Sequence, residues 1–198
     1  GYVNIVLGAG GFVPHPAPDI LRVHYGDCKD HVVLLSALLA AEGIVSQPVL
    51  IDANDRFAQA KVASPFAFNH MINYLPEFGF YTDSTARFVS FGSLPIGDAD
   101  RPVLNLNTGV AALTPVPSAD DNTIRSVVTA TISRDGSAEG DTHVVMTGDP
   151  AMTYRAFFQM VNASNESDVF HKFLGPAGTG TLDKGNINSM DNTYAFSA

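Results

Sequence analysis

The stretch that most constrains the fold is residues 28–42, CKDHVVLLSALLAAE, because its interior is apolar on nearly every side. An apolar run of this length predicts a helix that is buried over most of its surface. Asp27 is a good N-cap residue, Asp30 completes a weaker form of the capping box, and Gly43 is a good C′ residue. The sequence therefore predicts one buried helix that starts at Cys28 and stops before Gly43.

Cys28 is the single cysteine of the chain and would be the first residue of this helix. The N–H groups of a first helical turn have no helical acceptors and point outward at the positive end of the helix dipole. A thiol placed there has its thiolate stabilised and becomes a candidate nucleophile, with Lys29 adding to the effect and Asp27 opposing it. Two other interpretations stay open: a small cysteine that only packs, and a zinc site with His24 and His31.

The segment PFAFNHMINYLPEFGFYTDSTARF predicts a β-hairpin that turns at PEFG. If Pro76 pairs with Gly79, then His70 and Asp83 lie on one face of the hairpin, on a close diagonal. An imidazole and a carboxylate so placed can form a hydrogen bond, whereas a slip of one residue would separate them. His70 is thus a candidate base for the thiol and Asp83 a candidate orienting acid. The alternatives are a core histidine and a strand-end aspartate.

Three motifs together resemble those of the transglutaminase-like superfamily: YGDCKDHVVLLSALLAAEGI, FNHMINYL and YTDSTA. The resemblance covers residues 1–95 well and continues more weakly through DGSAEGDTHVVMTGDPAMTYR. It implies an α+β fold with a papain-like core, in which a helix that bears the cysteine packs on an antiparallel sheet. It carries the nucleophile to Cys28, the base to His70 and the orienting acid to Asp83.

The resemblance also implies an activity: thiol-dependent acyl transfer on amide or ester carbonyls, as in a transglutaminase or a cysteine protease or amidase. The substrate would be a protein, a peptide or another amide-containing molecule, and neither a cofactor nor a metal is implied. A side-chain oxyanion donor normally comes from the region upstream of the cysteine, where Tyr2 is the candidate. The resemblance is to bacterial members, and the compartment stays open, with the bacterial periplasm or cell envelope as one candidate. The alternative function is a non-catalytic module that binds a peptide or an envelope polymer and keeps the triad as a relic.

Composition and patterning argue against several other functions. Eleven Lys and Arg against twenty Asp and Glu give a net charge of −9, so no basic face for nucleic acid can be assembled. No apolar run approaches the ~20 residues needed to span a bilayer. GAGGF near the N-terminus resembles a dinucleotide-binding loop, but Val13 replaces the third glycine and three prolines follow where a helix would have to begin.

The organisation of the chain predicts two domains. Residues 92–121 are rich in Gly, Pro and Asp and contain the expected seam. We place a transglutaminase-like core at residues 1–105 and a β-rich domain with helices at residues 106–198. The strands of the core are expected at residues 2–7, 45–52, 67–75 and 79–84. Because the chain opens inside an apolar run, we expect it to be a piece of a longer protein, with the superfamily's early helices before residue 1.

The second domain is expected to bury its own apolar residues, such as Val127, Val145 and Phe157. Alternating residues on either side of RDGSAEG predict a hairpin, and two later stretches have a helical pattern. The hairpin strands are placed at residues 123–134 and 141–147, and the helices at 150–161 and 165–174.

Overall fold

The structure is a computed structural model that describes residues 1–3, 11–53 and 67–198. It has a mixed α+β fold with antiparallel sheets, as the sequence predicts. The chain divides into two compact units: Gly1–Arg87 with Gly92–Pro117, and Phe88–Phe91 with Ser118–Ala198. Residues 4–7 of the strand predicted at 2–7, and most of the GAGGF loop, lie outside the described residues. None of the helices in the described ranges has the length and apolar character that crossing a membrane requires.

The first unit contains two helices and a five-stranded antiparallel sheet. The helices are α1 (Ala17–Val23) and α2 (Cys28–Ala41). The strands are β1 (Gln47–Ile51), β2 (His70–Leu75), β3 (Phe80–Thr82), β4 (Pro102–Asn105) and β5 (Ala111–Leu113). Their order in the sheet is β3-β2-β1-β4-β5. The helix that begins with Cys28 packs on β2, which begins with His70.

The predicted ends of α2 are confirmed. The Asp27 side chain accepts a hydrogen bond from the Asp30 N–H at 3.3 Å, and the Asp30 side chain accepts one from the Asp27 N–H at 3.4 Å. Gly43 follows the helix with a φ of 77°, in the left-handed region that glycine favours. The expectation that α2 is buried on nearly every side is wrong for the second half of the helix, where Leu38 is exposed. Among the described elements, α1, β1 and β2 cover only part of its circumference.

The β2–β3 hairpin has the register that the sequence predicts. Asn73 lies opposite Thr82 and Leu75 opposite Phe80. Continued by one residue in each direction, this register places Ile72 opposite Asp83. Because residues two apart on a strand share a face, His70 and Asp83 emerge on the same face of the hairpin.

A buried asparagine ties α2 to the sheet. Asn73 is fully buried in β2, and its side-chain nitrogen contacts the Val32 carbonyl at 3.2 Å, Ser36 Oγ at 3.0 Å and Ser46 Oγ at 2.8 Å. Two of these partners lie on α2. The bonds to the nitrogen fix the helix relative to the strand that carries His70, whereas Oδ1 of the same side chain has no partner among the described residues.

The first unit extends past the predicted boundary at residue 105. Strand β4 pairs with β1, and β5 pairs with β4, so the whole hairpin belongs to the first sheet. Val103 of β4 is buried in the same apolar cluster as Val49, Ile51 and Ile72. The Gly- and Pro-rich segment that suggests a seam is therefore partly the turn of a sheet hairpin, and the unit ends at Pro117.

The second unit is a three-stranded antiparallel sheet with two helices. It contains β6 (Ile124–Ile132), β7 (Ala138–Thr147), α3 (Asp149–Met160), α4 (Glu166–Leu174) and β8 (Thr193–Ser197). The strand order is β6-β7-β8. The predicted hairpin around RDGSAEG and both predicted helices are confirmed within a few residues.

The core of the second unit uses different valines from those expected. Its buried cluster contains Val144, Met146, Ala151, Phe158, Val161 and Tyr194, with Phe157 packed partly against it. Val145 is only partly buried because it points to the opposite face of β7 from Val144. Val127 is 51% exposed, since every residue of the edge strand β6 is exposed. The expected burial of Val127 and Val145 is therefore wrong.

Candidate active site

Cys28 is the first residue of α2 and is partly exposed, so its thiol is accessible at the positive end of a helix. Its two charged neighbours form an ion pair with each other, Lys29 with Asp27, and both side chains are largely buried. This pairing corrects the expectation that Lys29 favours the thiolate while Asp27 opposes it. Because the two charges are adjacent, they nearly cancel, and the helix terminus remains as the stabilising feature.

The turn before Cys28 requires close packing of the backbone. A Cβ on Gly26 would lie 2.5 Å from the Cβ of Asp30, so no larger residue fits without movement of the helix start. Asp30 is buried, and its carboxylate also accepts hydrogen bonds from the His15 N–H at 2.8 Å and contacts His15 Nδ1 at 3.0 Å. Burial would raise the pKa of Asp30, but the bonds from His15 and Asp27 lower it overall. Asp30 is thus an ionised cap that anchors the preceding loop.

His70 and Asp83 form the hydrogen bond that the hairpin register predicts. His70 Nε2 lies 3.1 Å from Asp83 Oδ2. The other carboxylate oxygen of Asp83 accepts from the Thr85 N–H at 2.8 Å and from Thr85 Oγ1 at 2.7 Å. Asp83 is 8% exposed, so the carboxylate is buried, and both of its oxygens are hydrogen-bonded. It is held from both sides, which fixes the direction in which it presents an oxygen to the imidazole.

The His70 ring is positioned to hold a proton for Cys28. Burial alone would lower the pKa of His70, but hydrogen bonds with Asp83 and Cys28 and the charges of Asp83 and Asp98 raise it to about 10. Nε2 carries the bond to Asp83, and the thiol of Cys28 is the second side-chain hydrogen-bond partner of the ring. The structure therefore brings Cys28, His70 and Asp83 together, and the raised pKa of His70 favours an imidazolium between the sulfur and the carboxylate.

Asp98 is a fourth member of this cluster, and no sequence motif indicates it. It ends a short 3-10 helix, Ile96–Asp98, and is 3% exposed. Its carboxyl group lies close to Asp83, and burial followed by the charge of Asp83 raises the pKa of Asp98 to about 7. In sequence it belongs to the Gly-, Pro- and Asp-rich segment, where an aspartate indicates a turn. Only the tertiary packing of that segment makes it a site residue.

Among the described residues, one group of side chains has the composition and spacing to bind a metal ion. Atoms of His70, Asp83 and Asp98 lie within 4.8 Å of one another, near enough for one ion to contact all three. Hydrogen bonding between the imidazole and the carboxyl groups accounts for the same spacing. Within the described ranges, His24, Cys28 and His31 do not form such a group, so the zinc alternative has no support there.

Tyr2, the candidate oxyanion donor, lies beside the start of α2. Its backbone forms a parallel bridge with Gly26, and its ring meets His31 edge-on at 5.8 Å. Burial, then the charges of Cys28, Asp27 and Asp83, raise the pKa of the Tyr2 phenol. The hydroxyl therefore remains a proton donor near the thiol. Its role in stabilising an oxyanion stays a prediction.

Comparison of the chain with family models, with curated proteins and with solved structures found no match in any of the three. The resemblance to the transglutaminase-like superfamily accordingly rests on the three motifs alone and stays a prediction. The geometry of Cys28, His70 and Asp83 is independent of that resemblance, because it follows from the positions of the side chains.

Proposed function

We propose that this chain carries a transglutaminase-like acyl-transfer site on a papain-like core, with Cys28 as nucleophile, His70 as acid and base, and Asp83 as orienting acid. The observation that supports the proposal is the His70 ring, which is hydrogen-bonded to Asp83 and contacts the thiol of Cys28. A thiol nucleophile needs both a base and a group that orients the base, and these three side chains supply both. The substrate would be a protein, a peptide or another molecule with an amide or ester carbonyl.

The first half of the reaction acylates the thiol. The thiolate of Cys28 attacks the carbonyl carbon, a C–S bond forms, and the carbonyl electrons move to oxygen. The N–H of Cys28, at a helix start where such groups have no intrahelical acceptor, donates to the oxyanion. The intermediate then collapses, the C–N or C–O bond breaks, and His70 gives its proton to the leaving group. A thioester on Cys28 remains.

The second half transfers the acyl group to an acceptor. An amine or a water molecule attacks the thioester carbonyl, and His70 takes a proton from the attacking group. Cleavage of the C–S bond returns the thiolate and the imidazolium. An amine acceptor yields a new amide, which is transglutaminase chemistry, whereas water yields a carboxylic acid, which is protease or amidase chemistry.

Acylation can be tested with p-nitrophenyl acetate, whose leaving group needs no proton. We expect a burst of nitrophenolate equal to the amount of protein, with an acetyl group on the peptide that contains Cys28, detected by mass spectrometry. Addition of a primary amine should shorten the lifetime of the thioester if the site is a transferase. The physical reason is that the thioester is the shared intermediate of both reactions.

The matched control is Cys28→Ser, which keeps the size of the side chain and removes the thiol. It should give neither a burst nor an acetyl group at this position. A native protein whose Cys28 reacts with iodoacetamide no faster than an ordinary thiol and is not acetylated would contradict the proposal. That result would favour the non-catalytic binding module.

A further inference from the structure

One buried oxygen of the cluster has no hydrogen-bond partner among the described residues. It is Oδ2 of Asp98, in a side chain that is 3% exposed. The backbone around it is fixed, because the Asp98 N–H donates to the Pro95 carbonyl at 2.9 Å and the Asp98 carbonyl accepts the hydroxyl of Thr114. Rotation of the backbone cannot easily relieve the missing bond. A buried polar atom without a partner is costly and calls for an explanation.

One carboxyl oxygen of Asp83 lies within 4.8 Å of one of Asp98. Two ionised carboxylates cannot hydrogen-bond to each other because both only accept. They can do so when one of them is protonated, as in pairs of acids that share a proton. The charged groups around Asp98 are Asp83, His70 and Arg101. Arg101 Nε donates to the Gly97 carbonyl at 3.0 Å, and His70 Nε2 is bonded to Asp83, so neither cation is hydrogen-bonded to the free oxygen.

We propose that Asp98 is a neutral carboxylic acid whose O–H donates to the carboxylate of Asp83, and that it acts as a positioning residue for the Cys28–His70–Asp83 site. The second part rests on the proposed function, whereas the protonation of Asp98 does not. The orphaned oxygen, its burial and the adjacent carboxylate carry the assignment. In this arrangement the orphaned oxygen of Asp98 has a partner.

The pKa values of the two carboxyl groups are also shifted in opposite directions, as expected when one acid of a pair keeps the proton. Burial and then the charge of Asp83 raise the pKa of Asp98 to about 7. Burial would raise the pKa of Asp83 as well, but its bonds with His70 and Thr85 lower it overall. Opposite shifts in adjacent acids assign the charge to one and the proton to the other.

A neutral Asp98 has a consequence for proton donation by His70. With Asp98 protonated, the imidazolium faces one carboxylate charge; with Asp98 ionised, it faces two. A second negative charge would hold the ring proton more tightly, so His70 would become a poorer acid toward a leaving group. Ionisation of Asp98 would not hinder formation of the thiolate, because the imidazolium would remain. As Asp98 ionises, the rate of acylation of Cys28 should therefore fall for substrates whose leaving group needs a proton.

The direct test is a titration of the side-chain carboxyl carbons by NMR in uniformly labelled wild-type protein. We expect Asp98 to titrate at least two pH units above an ordinary aspartate, while Asp83 titrates below one. This measurement needs neither activity nor a variant that folds. An Asp98 midpoint near pH 4 would overturn the proposal, as would stoichiometric binding of Zn²⁺ that Asp98→Asn abolishes.

The functional part is tested by the ratio of two acylation rates, that of N-acetylglycine methyl ester divided by that of p-nitrophenyl acetate. Only the methyl ester requires a proton from His70. In wild-type protein this ratio should fall several-fold as the pH rises from 6 to 8.5, and in Asp98→Asn it should stay flat. Asn keeps the size of the side chain and an N–H donor for Asp83 but cannot ionise. Glu77→Gln, at an exposed turn of the same unit, is the control and should behave as wild type.

The outcomes separate the two proposals. Suppose that the NMR titration is as expected but the ratio of the two acylation rates depends equally on pH in wild type and in Asp98→Asn. That result would refute the positioning role. Failure of both esters to acylate Cys28 would refute the proposed function, while the NMR titration would still decide the protonation of Asp98.

Discussion

Replacement of His70 by Asn is expected to slow the alkylation of Cys28 by iodoacetamide at pH 6 about a hundred-fold. An ordinary thiol with a pKa of about 8.5 is only roughly 0.3% ionised at this pH. Under the proposed function an imidazolium partner promotes attack by the thiolate, and the raised pKa of His70 keeps that partner charged throughout the neutral range. The measurement is the rate of alkylation against pH, from pH 4 to 10.

The matched control for this variant is His24→Asn. His24 is an exposed histidine four residues before Cys28, and its φ of 59° is in the left-handed region, which asparagine tolerates. Its replacement removes a nearby imidazole without touching the cluster, so the alkylation profile should not change. If His70→Asn also leaves the profile as in wild type, His70 does not activate Cys28.

Replacement of Asp83 by Ala is expected to lower the free energy of unfolding of the first unit by about 3 kcal/mol. The buried carboxylate is bonded to His70 and Thr85, and removal of one partner of a buried charge pair leaves the other uncompensated. As a strand-end aspartate on the surface, it would have cost under about 1 kcal/mol. The measurement is urea unfolding at pH 7. A second variant, Asp83→Asn, keeps the size of the side chain and tests whether loss of its charge lowers the reactivity of Cys28.

The chain contains a matched control for Asp83. Asp135 accepts hydrogen bonds from the N–H and hydroxyl of Ser137, at 3.0 and 2.7 Å, just as Asp83 does from Thr85, but it is exposed. Asp135→Ala should therefore have a much smaller effect. An equal effect of the two substitutions would mean that the local turn, and not the bond to His70, accounts for the stability.

The pH dependence of this effect has a definite sign. The pKa of Asp83 is lowered in the folded protein, so its stabilising contribution is present above the unfolded-state pKa of about 3.9 and is lost as the pH falls through the folded-state value. The difference between wild type and Asp83→Ala should be largest near neutral pH and shrink toward pH 3. A difference that grows on acidification would contradict a stabilising bond to an ionised Asp83.

Local rules predicted the parts of the site that depend on neighbours in sequence. The start of α2 follows from the side chains of Asp27 and Asp30, which satisfy N–H groups within one turn. The register of the hairpin follows from the short turn at PEFG, and with it the approach of His70 to Asp83. These features need no information about the rest of the chain.

Features that depend on distant packing were not predictable. Asp98 is buried only because its segment folds back, with Thr114 hydrogen-bonded to the Asp98 carbonyl, and nothing in its neighbours indicates this. The exposure of Val127 depends on the position of β6 at the edge of a sheet, which alternation of residues does not reveal. The expected seam at residues 92–121 contains the end of the first unit at Pro117, but the boundary at residue 105 lies inside a sheet hairpin, because a turn within a sheet and a linker have the same composition.

The four side chains of the cluster, the thiol included, come from a helix start, a strand start, a strand end and a 3-10 helix, separated by as many as seventy residues. An unfolded chain keeps the thiol and loses all of its neighbours at once. Labelling of a buried cysteine ordinarily accelerates when a protein opens, because exposure is the limiting factor. Under the proposed function the change would reverse with pH: below neutrality the folded site would be labelled faster than the open chain, and only in alkali would opening hasten the reaction. Since the chain has no second cysteine, this crossover would give an optical or mass readout of folding in the first unit without any engineered label.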